Sequence, residues 1–328
     1  MTKGRIFSGM QPSGRFHLGN YMGALENWVR LQHDHECFFS IVDLHALTSA
    51  YENTSQLPEN IHNMALDWLA AGLDPDKNTI FVQSHVKEHA ELHLLLSMIT
   101  PLSWLERVPT YKDKLQQLGT QGKDINTYGF LGYPELMTAD IILYKADIIP
   151  VGEDQIPHLE LCREIVRRFN NLYGPVFPEP QAKLSKAALL PGIDGRKMSK
   201  SYGNAIPYAA GPEELKKRVR MIVTDPQRIK KTDAGNPEVC TAFKFHKIFN
   251  TENVAEIEGA CRGACIGCVE CKNRLADRMN ESLADIYTRR EYFASKPSMV
   301  REILEAGAQK ARVVAEATMA DVKAAMHL

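Results

Sequence analysis

No stretch of the 328-residue chain is long and apolar enough to cross a bilayer, which sets a membrane-spanning role aside. The opening residues, MTKGRIFSGM, carry no apolar segment leading to a small-residue cleavage site, so a cytoplasmic address is expected. Net charge is nearly absent too. With 39 Lys+Arg against 40 Asp+Glu, a chain at −1 has no bulk attraction for nucleic acid, and any RNA contact must come from local clusters. Internal repeats and low-complexity segments are missing. The seven cysteines are an odd number, and five of them crowd between Cys240 and Cys271, which argues against a disulfide framework and for a metal site in a reducing compartment. Cys37 and Cys162 stand apart among apolar neighbours, as in CFFSIV, and read as buried structural thiols.

What is present is enough apolar material, 44% of residues, to bury a sizeable core spread over two domains. Short apolar segments alternate with amphipathic ones through the first half: RIFSGM, then a helix from about Leu18; CFFSIVD, then a helix over 57–71; TIFVQS; and DIIPVG. That alternation predicts an α/β, Rossmann-like parallel sheet covered by helices. Such sheets bind ligands at the carboxyl ends of their strands, where the strand order reverses. HLGN, VDLH and GEDQ each follow a predicted strand and are expected to rim one crevice. From residue 211 the pattern turns helical after a Pro/Gly-marked entry, so a first domain over 1–204 is expected to give way to a smaller all-helical domain over 205–328, with 302–328 as a terminal helix.

Two short strings carry chemistry. HLGN, at 17–20, opens a predicted helix directly after a predicted strand, where His17 and unpaired backbone amides face an anion. KMSKS, at 197–201, is a polar loop bracketed by Pro191, Gly192, Gly195 and Gly203, and its Lys197 and Lys200 are mobile cations. Together the strings can clamp a triphosphate from opposite sides. Gln11, Pro12, Ser13, Gly14, Gly19 and Asn20 complete the first wall with His17, although a plain strand-to-helix turn with an Asn cap also explains them.

Both strings resemble the nucleotide-binding signatures of class I aminoacyl-tRNA synthetases. FSGMQPSG at 7–14, GYPELMTADIILY at 132–144 and VGEDQIPHLELCREIVRRFN at 151–170 resemble the tryptophanyl-tRNA synthetases, in their usual order along the whole chain. The resemblance implies synthesis of tryptophanyl-adenylate from L-tryptophan and ATP with magnesium, transfer to tRNA(Trp), and a homodimer. It implies an ATP site in which Gly152, Glu153 and Asp154 hold the ribose and adenine region, Leu189 packs near the base, and Met198, Ser199 and Ser201 join the two lysines. Lys114, in YKDK, is a further candidate for a phosphate contact.

Tryptophan has one polar handle on its side chain, an indole N–H that only donates, and a buried carboxylate is its logical partner. Asp140, flanked by apolar residues, resembles the family's indole-binding aspartate; a helix-interior carboxylate paired with Lys145 is the plainer reading. Phe7, Gly9, His45, Met137, Ile149 and Val151 match positions that line the ring, and Tyr133 and Gln155 match positions that meet the ammonium group.

In the cysteine cluster, soft thiolates select zinc or an iron–sulfur cluster. A subset of the family carries a four-iron four-sulfur cluster on a distant cysteine and a C-x6-C-x2-C run, which Cys240, Cys261, Cys268 and Cys271 resemble; Cys265 is an extra thiol that can substitute. Structural zinc stays open as the alternative. Lys216, Lys217, Arg218, Arg220, Arg228, Lys230 and Lys231 form the densest basic stretches and suit phosphates rather than sequence readout. The rival readings are a tyrosyl-tRNA synthetase on the same scaffold and a non-catalytic RNA-binding or redox-sensing paralogue.

Overall fold

The structure, a computed structural model, describes residues 4–109, 111–112, 126–184 and 190–328. Five parallel strands form one sheet: β1 (Arg5–Met10), β2 (Glu36–Ile41), β3 (Thr79–Val82), β4 (Ile148–Val151) and β5 (Gln181–Leu184), in the order β3-β2-β1-β4-β5. The four apolar runs expected to be strands are strands. Strand β5 has no such signal, because its side chains are largely exposed and it is held by backbone pairing to β4. The central strands are apolar on both faces: Ile6, Cys37, Phe39, Ile41, Ile80 and Val82 enter one core, while Phe7, Phe38 and Phe81 enter another. A strand points successive side chains to opposite faces, so helices cover both.

Helix α1 runs through Leu18–Asn20, a π-helical turn at Tyr21–Leu25, and Glu26–Leu31. It is followed by α2 (Asp43–Ala50), α3 (Leu57–Ala71), α4 (Glu88–Ser97), α5 (Leu102–Glu106), α6 (Tyr128–Leu131), α7 (Tyr133–Leu143) and α8 (Ile156–Tyr173). Trp28 of α1 stacks on Phe39 of β2 at 4.8 Å and meets Trp68 of α3 edge-on at 5.1 Å. These large rings fill the space between the sheet and its first helices. The strand order reverses between β1 and β4, and the carboxyl ends of these two strands face the crevice described below.

Beyond residue 204 the chain is helical, with α9 (Pro212–Arg220), α10 (Thr241–Phe249), α11 (Val254–Arg262), α12 (Cys268–Ala294) and α13 (Pro297–Met326). Helix α12 lies against α3, where Arg290 pairs with the buried Asp67 at 2.7 Å and Arg289 donates to the Ala70 carbonyl at 2.6 Å. The terminal helix begins at Pro297 and returns to the sheet. It packs on edge strand β3 through Gly307, Ala308, Ala311 and Ala315, small residues that let its backbone approach. Among the described residues, no helix is long and apolar enough to cross a membrane.

Candidate active site

The HLGN string is the start of α1. His17 lies in extended backbone just before it, its Nδ1 accepts from the Asn20 backbone N–H at 3.2 Å, and the Asn20 side chain accepts from the His17 N–H at 3.3 Å. This reciprocal cap leaves Nε2 to carry the ring proton and donate. Burial, and after it the charge of Lys200, push the His17 imidazole down to about 4, so the ring is a neutral donor at pH 7. Gly19 lets the two strings pack closely: a Cβ there would stand 3.1 Å from the His17 ring and 3.4 Å from Met198 Sδ, so those side chains would have to give by a few tenths of an ångström.

The KMSKS string lies directly against this helix start. Lys200 Nζ donates to the Ser13 carbonyl at 3.0 Å, and His17 and Leu18 pair with Pro207 and Ile206 through the backbone. Asn204, 2% exposed, staples the loop: its Oδ1 accepts from the Ser199 N–H at 2.8 Å, and its Nδ2 donates to Asp194 at 2.8 Å and to the Lys197 carbonyl at 3.1 Å. Ser199 and Lys200 thereby enter a short turn that continues through Ser201. Lys197 is exposed, and Met198 is buried beside Gly19.

A cavity of about 510 Å³ opens where β1 and β4 diverge. Its wall includes Phe7, Gly9, Gln11, His45, Tyr133, Met137, Asp140, Ile149, Val151, Gly152, Asp154 and Gln155, so twelve residues expected in the two substrate sites converge on one space. Glu153 is exposed at its rim, and Pro12 and Ser13 line a neighbouring hollow of about 260 Å³ that shares Gln11. Lys114 and Leu189 lie outside the described residues.

Asp140 is 2% exposed and is not paired with Lys145, which bonds Asp321 at 2.7 Å instead. Its Oδ1 accepts from His89 Nδ1 at 2.7 Å and from Gln83 Nε2 at 2.7 Å; its Oδ2 accepts from His45 Nε2 at 3.0 Å and, more weakly, from Gln83 at 2.9 Å. Burial works to raise the carboxyl's pKa, but the charge of His89 and the bonds from His45 and His89 outweigh it and hold the group ionised. His89 Nε2 in turn meets the Tyr144 hydroxyl at 2.7 Å. Gln83, His89 and Tyr144 were not among the expected residues. The sequence does carry one signal for them, since QSHVKEHAELH places His85, His89 and His93 four residues apart directly after a strand.

The cysteines divide. Cys37 and Cys162 are buried, as expected, and burial pushes the Cys162 thiol up to about 12. Cys240 precedes α10, Cys261 ends α11, and Cys268 and Cys271 lie in the first turn of α12. The Cys271 thiol is pushed up to about 12, first by burial and then by the charges of Cys240, Cys261 and Cys268, so these four stand within electrostatic reach of one another. Cys265 is exposed and turns back to the Gly263 carbonyl at 3.4 Å. Arg228 is not a free phosphate ligand: it donates to Cys261 Sγ at 3.7 Å and to the Ile266 carbonyl at 2.8 Å. Among the described residues, no three His, Cys, Asp or Glu side chains are arranged to hold a single metal ion.

The chain matches the protein family described as tRNA synthetases class I (W and Y) over residues 2–284. It belongs to that family. It is 50% identical to the tryptophan–tRNA ligase of Thermotoga maritima over 99% of either chain, and 44% identical to that of Aquifex aeolicus over 99% of this chain and 100% of the relative. Its fold is similar to the tryptophanyl-tRNA synthetase of Campylobacter jejuni, solved in complex with ADP and tryptophan, with a TM-score of 0.91 and 36% identity over 99% of this chain and 100% of the other.

Proposed function

We propose that this chain is a tryptophan–tRNA ligase that activates L-tryptophan with ATP and passes the acyl group to tRNA(Trp). The observation that carries the reading is the buried, ionised Asp140 in the wall of a cavity that also contains Gln11, next to the joined HLGN and KMSKS strings. Asp140 offers an acceptor to the indole N–H, while Phe7, Gly9, His45, Met137, Ile149 and Val151 surround the ring, and Tyr133 and Gln155 meet the ammonium group. Gly152, Glu153 and Asp154 take the ribose and adenine. His17 Nε2, the amides at the start of α1, Gln11, Lys197 and Lys200 hold the phosphates, with magnesium brought in on ATP.

The tryptophan carboxylate then attacks the α-phosphorus, and pyrophosphate leaves as charge builds on its oxygens. Groups whose contacts strengthen as that charge develops lower the barrier. No side chain needs to act as a covalent nucleophile, because proximity and positioned charge suffice. We further read 1–204 as the catalytic domain and 205–328 as the helical, anticodon-binding one, whose terminal helix returns to the sheet. The address is read as cytoplasmic and the assembly as a homodimer. Leu94 and Met98 near the end of α4, and Leu102 at the start of α5, support the dimer, being 54%, 68% and 60% exposed.

Cys240, Cys261, Cys268 and Cys271 are proposed to hold a four-iron four-sulfur cluster, with zinc as the alternative. Support comes from four soft thiols on three segments that stand within electrostatic reach of one another, with His246 Nε2 3.3 Å from Cys271 Sγ beside them. Such a group, when bound, cross-links those segments. Iron analysis of protein purified without oxygen is expected to give about four irons per chain. One zinc and no iron would overturn the cluster.

The central test is tryptophan-dependent exchange of labelled pyrophosphate into ATP, with tyrosine and phenylalanine in parallel. Exchange with tryptophan alone is expected, and Asp140→Ala is expected to raise the KM for tryptophan about 100-fold or more with little change for ATP. Equal weakening of both substrates would mean that the pocket is misplaced.

A further inference from the structure

Asp140 is the end of a chain of hydrogen bonds in which Gln83, His89 and Tyr144 lie outside the cavity wall. A carboxylate has about four acceptor positions. Oδ1 of Asp140 spends both of its positions on His89 and Gln83, at 2.7 Å each. Oδ2 accepts from His45 at 3.0 Å and shares the Gln83 amide with Oδ1 at 2.9 Å, which makes it the less tightly held of the two oxygens. The orientation of the Gln83 amide is not arbitrary, because its Oε1 accepts from the Leu44 N–H at 3.1 Å and from the His45 N–H at 3.4 Å, which turns Nε2 toward Asp140.

The orientation of His89 is set from its far side. Its Nδ1 must carry a proton to donate to Asp140, and its Nε2 meets the Tyr144 hydroxyl at 2.7 Å, a group that can donate or accept and so holds the ring in this orientation whether it is neutral or charged. Tyr144 is fully buried and cannot turn away, because its ring stacks on Phe38 at 4.6 Å and on Phe7 at 5.6 Å and meets Phe81 edge-on at 5.6 Å.

We propose that Tyr144 and His89 are positioning residues for amino-acid selection: Tyr144 holds the His89 ring so that Nδ1 donates to Asp140, and this bond, with that of Gln83, anchors Oδ1 and leaves Oδ2 as the oxygen that meets a substrate N–H. The inference rests on the reading of Asp140 as the indole partner. It adds that selection is set by residues that do not touch the substrate. The substrate class is an amino acid whose aromatic side chain presents one N–H donor; a side chain of equal shape without that donor brings no hydrogen bond to Oδ2 in exchange for the water it displaces.

The test compares L-tryptophan with its benzothiophene isostere, in which sulfur replaces the indole N–H, by pyrophosphate exchange. Tyr144→Phe is expected to raise the KM for tryptophan about tenfold and the KM for the isostere little, with kcat and the KM for ATP unchanged. His89→Asn, whose amide can still donate to Asp140, is expected to keep the preference, and His89→Leu to lose it. Nitrogen-15 NMR of the wild-type protein is expected to show the His89 proton on Nδ1. An Nδ1 without a proton overturns the proposal even if Tyr144→Phe does not fold. An unchanged preference in both Tyr144→Phe and His89→Leu overturns it as well. If Asp140→Asn abolishes the preference while those two keep it, only the role of the relay fails; if Asp140→Asn keeps it too, the assignment of the pocket itself has failed.

Discussion

Glu135 lies on the same helix as Asp140, yet the two carboxyls are held in opposite states. Asp140 receives bonds from His45, His89 and Gln83, whereas Glu135, 1% exposed, meets the His93 ring at 3.7 Å and the Thr100 side chain and leaves Oε1 without a partner among the described residues. Burial accordingly pushes Glu135 up from 4.5 to about 7, against a smaller opposing effect of Thr100. A carboxyl whose folded pKa is raised costs stability once the unfolded chain has released its proton. Stability should therefore fall as pH climbs from 4.5 toward 7 and level off above that. Glu135→Gln is expected to gain on the wild type by roughly 1–3 kcal/mol between pH 4.5 and 8, read from urea unfolding at the two pH values. An equal difference at both would show that Glu135 ionises normally in the fold. At this scale the sequence announces identity but not state: Asp140 and Glu135 are both acids in an apolar helical run, and only their partners separate them.

Among the elements, the apolar runs that became β1 to β4 and the helix over 57–71 were legible, because burial on both faces of a parallel sheet demands continuous apolar segments and burial of one helix face demands a 3.6-residue period. Strand β5 was not, since QAKL buries little and is specified by the β4 backbone beside it. The terminal helix was legible as a helix, but its destination was not. Its seat against β3 depends on Gly307, where a Cβ would run into the Ile80 carbonyl oxygen. That neighbour is backbone and cannot turn aside, so Gly307→Ala forces the whole helix outward. A loss of about 2 kcal/mol or more is expected, visible as a lower Tm in thermal unfolding; an unchanged Tm would mean that the helix is not seated this closely. The two signature strings show the same division. HLGN reads locally as a helix start, while its contact with KMSKS is made by Lys200, Asn204 and the 206–208 segment, which the sequence does not mark.

For the whole molecule, the proposed dimer has a specific expected consequence. Met98→Glu, placing a charge in the exposed apolar patch with Leu94 and Leu102, should convert a dimer to a monomer in light scattering at micromolar concentration, and a persistent dimer would move the interface elsewhere. The sequence by itself determined the alternation of strands and helices, the two signature strings, an acid at 140 within an apolar helical run and the crowding of the cysteines, because each is a matter of local pattern or of residue type at fixed spacing. Tertiary structure alone decided which acid is ionised, that Gln83, His89 and Tyr144 stand behind Asp140, that Arg228 turns toward a cysteine, and that the last helix closes the edge of the first sheet. The reason is distance along the chain: residues 51 to 57 positions from Asp140 reach it only because the order β3-β2-β1-β4-β5 brings the segment after β3 beside the helix before β4.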